Sequence, residues 1–327
     1  MTAKDGKTRS ERFPSWLKKR LPVGGEKLRR LLDGFHLVTV CSEAHCPNQA
    51  ECYARGTAAF LILGATCTRD CRFCAVHSGQ PSPPRRDEPQ AVARAAECMG
   101  LRHVVITSVT RDDLPDGGAG HFARTIHEVH KTLGNATIEA LVPDFQGRSA
   151  DIDTVLDARP DVFNHNIETV PRLYPKVRPR ADYRRSLEVI AHAHRRGGLK
   201  TKSGLMAGLG ELPQEVTEAM RDLLSAGCDL LTIGQYLAPS RAHVPVARFI
   251  EPAQFDAWRD EGLGMGFAAV CSGPFVRSSY HAREFLQQSA EAQSGIDEPR
   301  QAELPTNKTF DALFEEEACE APEKTGP

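Results

Sequence analysis

The stretch Phe60-Leu-Ile-Leu63-Gly-Ala-Thr-Cys67-Thr-Arg-Asp-Cys71-Arg-Phe73-Cys74 decides the fold. It opens with a continuous apolar run bounded by glycine, the pattern of a parallel strand covered on both faces. It closes with three thiols spaced x3 and x2 in a single loop. Three thiolates at that spacing can take three corners of an iron–sulfur cube, leaving the fourth iron without a protein ligand, whereas most cubanes are held by four cysteines. An open iron points to chemistry rather than storage. A zinc knuckle is the competing reading, because C-x2-C pairs also suit tetrahedral zinc, although zinc ribbons supply two pairs rather than a triple.

Outward from this stretch, strands and helices alternate. The pattern predicts a helix over 88–99, a strand at His103–Ser108, a helix over 120–133, a strand over 137–142 and a helix over 151–158. A strand over 162–168, a helix over 183–195, a strand over 200–206, a helix over 214–226 and a sixth strand over 229–233 follow. Six strand–helix units in this order predict an α/β fold, a parallel sheet curled into a partial (β/α)6 TIM-like barrel with right-handed crossovers. Function then belongs at the C-terminal ends of the strands. Thr107 and Ser108, Arg111-Asp112-Asp113, and Asn164-His165-Asn166-Ile-Glu168 all fall there, with the cysteine loop. Asp116-Gly117-Gly118 precedes a helix, where backbone N–H groups could accept a carboxylate such as that of a methionine; a plain turn is the alternative.

Upstream lies a second triple, Cys41-x4-Cys46-x5-Cys52, with Pro47 and Asn48 inside it. It suggests a second cluster, with zinc plus His45 as the competing reading. Before it, 25–33 is an amphipathic helix with Leu28, Leu31 and Leu32 on one face, and the basic arm before that has Trp16 as the group able to pin it. After the barrel, Ala268–Val276 reads as an apolar strand that leads into Arg277-Ser278-Ser279-Tyr280-His281. From residue 285 onward the composition turns acidic, with ten acidic residues between Glu291 and Glu323, which predicts a disordered tail.

Composition bounds the rest. The chain has 327 residues, 40% of them hydrophobic, and a formal net charge of -2. That is enough for one barrel-sized core, and the charge offers no bulk attraction to nucleic acid or to an anionic membrane surface. The longest apolar run, 58–65, is far short of the roughly 20 residues that span a bilayer. Arg9, Arg12 and their neighbours are followed by no apolar h-region, so the chain reads as cytoplasmic. Six of the ten cysteines lie between positions 41 and 74, which fits reduced, metal-bound thiolates better than disulfides. Cys98, Cys228, Cys271 and Cys319, and His45, His77, His103, His165 and His281, read as ordinary structural residues.

The x3, x2 triple with an aromatic before its last cysteine resembles the radical S-adenosylmethionine (SAM) signature. The two triples together, with Arg111-Asp-Asp-Leu, Asn166-Ile-Glu-Thr169, Gly234-Gln-Tyr-Leu-Ala-Pro239 and Val276-Arg-Ser-Ser-Tyr-His281, resemble the lipoyl synthase family. The likeness runs from about Pro14 to His281. Tyr53 stands where that family often has tryptophan, and Ala59 where it has threonine; neither is a ligand.

The resemblance implies insertion of two sulfur atoms at carbons 6 and 8 of an octanoyl-lysine on a carrier domain, with SAM and two 4Fe-4S clusters as cofactors. It assigns Cys67, Cys71 and Cys74 to the SAM-cleaving cluster. Cys41, Cys46, Cys52 and Ser279 go to an auxiliary cluster that donates the sulfur. Phe73, Thr107, Asn166 and Glu168 go to the cofactor pocket. The implied partners are octanoylated lipoyl carriers, namely the glycine cleavage H protein and 2-oxoacid dehydrogenase E2 subunits, a donor such as ferredoxin or flavodoxin, and an iron–sulfur carrier. The rival reading is another radical SAM enzyme with an auxiliary cluster. The implied organisation is an N-terminal extension over 1–55, the barrel over 56–266, a closing segment over 267–284 and the tail over 285–327.

Overall fold

The computed structural model describes residues 13–19 and 24–293. The chain enters through α1 (Glu26–Gly34), β1 (Val38–Thr39), α2 (Val40–Glu43) and α3 (Gln49–Ala54). Then come β2 (Ala59–Ile62), a small parallel pair β3 (Thr66–Cys67) and β4 (His77–Ser78), α4 (Glu88–Cys98), β5 (His103–Ser108) and α5 (Ala119–Thr132). The alternation continues with β6 (Thr137–Leu141), α6 (Ser149–Asp157), β7 (Val162–Asn164), a short α7 (Tyr174–Val177), α8 (Tyr183–Arg196) and β8 (Lys200–Ala207). It ends with α9 (Pro213–Ser225), β9 (Leu230–Gln235), α10 (Pro252–Met265), β10 (Ala269–Gly273) and α11 (Ala282–Gln293).

The main sheet runs β1-β2-β5-β6-β7-β8-β9-β10. Every neighbour from β2 to β10 is parallel, and β1 is antiparallel to β2. The sheet is therefore an open, curled barrel wall with all its parallel strands ending on one side. The six strands read from the sequence are its wall, and β10 adds a seventh: Ala269 pairs with Leu230 and the register runs to Gly273 opposite Gly234. The segment after residue 267 is thus part of the sheet, and its continuation is delivered to the same mouth as the cysteine loop.

The wall is buried on both faces and largely apolar where it begins, as buried parallel strands require, while β6, β7 and β8 also bury Glu139, Asn164 and Lys202. Residues 59–62 are all buried, and Phe60, Ile62, Val104 and Ile106 have no exposed surface. The helices cover the outer face with amphipathic stripes, such as Phe122, Ile126 and Val129 of α5.

Three expectations need correction. The helix α11 crosses the tail boundary set at residue 285: Ala282, Phe285 and Ser289 are buried, and Phe285 packs with Val162, Leu230 and Ala269. Averaging composition over 285–327 hid a short i, i+3, i+4, i+7 stripe in its first turns. Residues 294–327 lie outside the described residues. In the N-terminal arm the pinning group is Leu17, which is buried, while Trp16 is exposed; Lys19 pairs with Glu51, and Phe13 stacks on Phe249 at 5.5 Å. The helix N-terminus after Gly117-Gly118 is closed by its own sequence. Asp116 accepts from the N–H of Gly118 and of Gly120, both at 2.9 Å, so the orphan donors are already used.

Candidate active site

The strand ends and the flanking loops enclose one cavity of about 1190 Å³, and all six cysteines of the two triples line it. The six thiols are free. They fall into two groups, and the thiols within each group feel one another. Burial pushes the Cys74 thiol up to about 12, and Cys71 and Cys67 beside it push the same way. Burial likewise pushes Cys52 up to about 12, with Cys41 and Cys46 adding to the effect. Crowded thiols that resist ionisation call for cations to hold them as thiolates, and sulfur donors select iron–sulfur clusters or zinc. Among the described residues no group of three His, Cys, Asp or Glu converges as one metal ion would require. A cube, by contrast, takes each thiolate on a different iron. Each triple thus has the donor chemistry that a cube takes.

The first loop hangs from β2 and is locked by a charge inside its own spacer. Arg69, only 6% exposed, donates to Asp112 at 2.7 and 2.9 Å and to Asp144 at 3.1 and 2.7 Å. Asp112 follows β5 and Asp144 follows β6, so one guanidinium ties the loop to two strand ends through forked pairs. Both carboxyls are held below their usual range: burial opposes ionisation, and the hydrogen bonds and charge of Arg69 overcome it. The Cys67 sulfur accepts from the N–H of Thr110 at 3.3 Å and of Arg69 at 3.4 Å.

Phe73 lies in this loop itself, and Thr107, Asn166 and Glu168 stand at the strand ends, all four on the cavity wall. Thr107 donates to the Leu141 carbonyl at 3.0 Å, so its hydroxyl belongs to the sheet. Glu168 sits at φ 66, a left-handed conformation that costs a non-glycine residue about 1 to 3 kcal/mol. Burial holds its carboxyl above the usual range, while Arg178 and the Asn166 amide pull it down. Arg178 lies beside Tyr174 with its charge toward Glu168 and Cys71, and it donates to the Asn166 and Ile167 carbonyls at 3.0 and 3.1 Å. His165 is structural: it bonds the Val142 carbonyl at 2.9 Å and Ser186 at 3.1 Å, and burial lowers its pKa to about 4.

The second group is built from the two ends of the chain. Asn48 donates to the Phe275 carbonyl at 2.7 Å, and the Tyr280 hydroxyl donates to Glu51 at 3.1 Å. These bonds bring residues 275–280 against the loop that carries Cys41, Cys46 and Cys52. Arg277 faces the cavity with its charge toward Cys46, and burial lowers its pKa. Ser278 and Ser279 both line the cavity but differ in their partners. Ser278 accepts from Asn164 at 2.7 Å and donates to Asn166 at 3.2 Å. Among the described residues the Ser279 hydroxyl has no hydrogen-bond partner.

Sequence reasoning placed Asn164 and Tyr280 near the site but missed Arg69, Arg178 and the latch that Asn48 and Tyr280 make. Arg69 carried a usable signal, a charge in the spacer of a loop that must be buried. The others are legible only once β7, β10 and the N-terminal loop meet.

Comparison with known proteins agrees with this geometry. Residues 61–223 match the model of the Radical SAM superfamily. The chain is 55% identical over 275 residues to a lipoyl synthase of Caldanaerobacter subterraneus subsp. tengcongensis, covering 83% of this chain and 96% of that protein. It is 54% identical over 274 residues to a lipoyl synthase of Rubrobacter xylanophilus, covering 83% and 85%. Among solved structures, the FeFe-hydrogenase maturase HydG from Carboxydothermus hydrogenoformans aligns with a TM-score of 0.53 at 16% identity, over 70% of this chain and 56% of that one; that likeness bears on the barrel alone. With more than half of its residues shared along nearly the full length of such relatives, and with both cysteine triples on one cavity, the chain belongs to the lipoyl synthase family of the radical SAM superfamily.

Proposed function

We propose that this chain inserts two sulfur atoms at carbons 6 and 8 of an octanoyl-lysine carried on a protein domain, forming the lipoyl group. The observation that carries this reading is the opening of both cysteine triples, and of Ser279, onto one cavity, which lets a hydrogen-abstracting centre and a sulfur source reach the same alkyl chain. Cys67, Cys71 and Cys74 hold the cluster that binds SAM. Cys41, Cys46, Cys52 and Ser279 hold the auxiliary cluster. When bound, SAM and the two clusters supply the adenosyl radical that no side-chain acid or base can replace for an unactivated C–H bond, together with the sulfur.

The chain's own residues position and shield. Glu168 and Asn166, with Arg178 behind them, offer a carboxyl, an amide and a cation to the polar end of SAM, and Phe73 packs the loop against the barrel core. With substrate seated in the cavity, the wall would keep water from a reactive radical. The carriers are octanoylated domains such as the glycine cleavage H protein and 2-oxoacid dehydrogenase E2 subunits, with a ferredoxin- or flavodoxin-like reductant and an iron–sulfur carrier, in the cytoplasm. Among the described residues no helix is long and apolar enough to cross a membrane.

Anaerobic turnover of an octanoyl-lysine peptide with reductant and SAM, read by mass, tests the reading. The product should gain two sulfurs as the dithiol, and lose two hydrogens once an added oxidant closes the cyclic disulfide. Cleavage of SAM with the octanoyl chain unaltered, in protein loaded with both clusters, would refute it.

A further inference from the structure

The feature that remains unexplained by ligand assignment is a line of polar groups running through the apolar barrel to the serine pair. It begins at Lys202 on β8, which donates to both oxygens of Glu139 on β6 at 2.9 and 2.8 Å. Each of these side chains is only 1% exposed. An ion pair this deep is seldom worth its desolvation as a stability device alone. Glu139 also accepts from the Asn164 amide at 2.7 Å, and the same amide nitrogen donates to Ser278 at 2.7 Å. Ser278 then donates to Asn166 at 3.2 Å.

The direction of every bond in this line is fixed by the charge at its start. The Asn164 amide cannot turn over, because its oxygen would then face the Glu139 carboxylate. That oxygen is left without a partner in the interior, while both hydrogens of its nitrogen are in use. Ser278 has one proton, and Asn166 takes it. The Ser278 hydroxyl is therefore fully engaged and held at one orientation. Its neighbour on the chain, Ser279, lines the cavity, and among the described residues its hydroxyl has no partner. Hydrogen bonds in a low-dielectric interior polarise one another, so the line acts as a unit.

We propose that Lys202, Glu139, Asn164 and Ser278 form a positioning relay. It fixes the backbone at 278 so that the Ser279 oxygen is presented to the fourth iron of the auxiliary cluster. In this arrangement Ser278 is the anchor and Ser279 the ligand. The relay also couples the ligand to the barrel wall across the 114 and 112 positions of sequence that separate Ser278 from Asn164 and Asn166. The proposal rests on the assignment of Ser279 as an auxiliary-cluster ligand.

The test is Mössbauer spectroscopy of iron-57-loaded full-length protein, with SAM present so that the other cluster's open iron is occupied in every sample. An iron bound to oxygen gives a component distinct from all-sulfur sites; the SAM-bound iron contributes one such component equally to every sample, and the serine-bound iron adds a second, which is the component followed. Ser279→Ala should lose that component. Ser278→Ala and Asn164→Leu should lose it too, although neither changed residue binds iron, and Ser278→Thr, which keeps a hydroxyl at the anchor, should restore it. If Ser279→Ala loses the component while Ser278→Ala and Asn164→Leu keep it, the relay is overturned and the ligand assignment stands. If Ser278→Ala loses it and Ser279→Ala keeps it, Ser278 is the ligand and both readings fall. If Ser278→Thr fails to restore a component that Ser278→Ala has lost, the anchor is not its hydroxyl and the relay is overturned. Because Ser278→Ala removes a single atom at the surface of the cavity, it keeps the proposal testable should Asn164→Leu fold poorly.

Discussion

The two cysteine triples sit in one cavity but are held by opposite means. The Cys67 loop is fastened locally: it leaves β2, closes on itself through the β3–β4 pair, and is clamped by Arg69 to the ends of the two strands beyond. The Cys41 loop belongs to the N-terminal extension and is fastened remotely, by Asn48 and Glu51 to residues 275 and 280, more than two hundred positions later. A site made from barrel strand ends is rigid. The other depends on two segments far apart in sequence, one of which continues from β10, and under the proposed function it is this second site that would give up sulfur.

The largest expected effect breaks the first region. Cys71→Ala should abolish 5'-deoxyadenosine formation altogether, in protein whose auxiliary iron is at the parent level. Normal SAM cleavage by such a variant would end the assignment. The second region is broken by Ser279→Ala, which should abolish dithiolated product while 5'-deoxyadenosine still forms. Equal product from variant and parent would show that the remote fastening carries no ligand.

The barrel and the first site were the legible parts of the sequence, because each depends on local pattern. The apolar run at 60–63 and the x3, x2 spacing are read within a few residues. The strands over 103–108 and 200–206 were likewise placed nearly to the residue. What failed to show were contacts between distant segments. β1 is two residues long and exists as a strand only because β2 offers it an edge. The tail boundary was set by average charge, against a stripe of three or four side chains in α11. Asp116 filling its own helix end was a matter of side-chain direction, which residue type does not give.

A smaller effect sharpens the comparison through Arg69. Arg69→Met should leave Asp144 buried with only the longer Arg185 contact at 3.4 Å, at a cost of up to about 3 to 5 kcal/mol for a broken buried pair, and should loosen the Cys67 loop while sparing the Cys41 loop. Iron retention after mild chelation would then fall at one cluster only; equal loss at both would mean the fastenings are not independent. The same clamp gives a pH dependence. Asp112 and Asp144 have folded pKa values depressed below 3.8. Their contribution is therefore complete above that value and is lost as pH falls below it through the folded values. Acid melts of the parent should lose stability steeply below about pH 4, and Arg69→Met should flatten that slope.

The smallest effect on chemistry should come from Phe285, at the far end of the barrel from the cysteine loops. Its ring is 5% exposed, packs with Val162, Leu230 and Ala269, and lies 5.5 Å from the Lys202 ammonium. Truncation to alanine leaves a cavity among these groups and should cost about 3 kcal/mol in unfolding free energy by denaturant titration. Lys202 keeps both bonds to Glu139, so the line to Ser278 survives and product formation per loaded protein should match the parent at temperatures where the variant is folded. Phe285→Leu, which fills most of the space, should recover more than half of the loss in stability. If Phe285→Ala were instead fully stable, α11 would be an appendage despite its buried stripe. If it were stable but deficient in dithiolated product, the ring's hold on Lys202 would reach the auxiliary site, and the remote fastening would extend through the whole barrel to its opposite end.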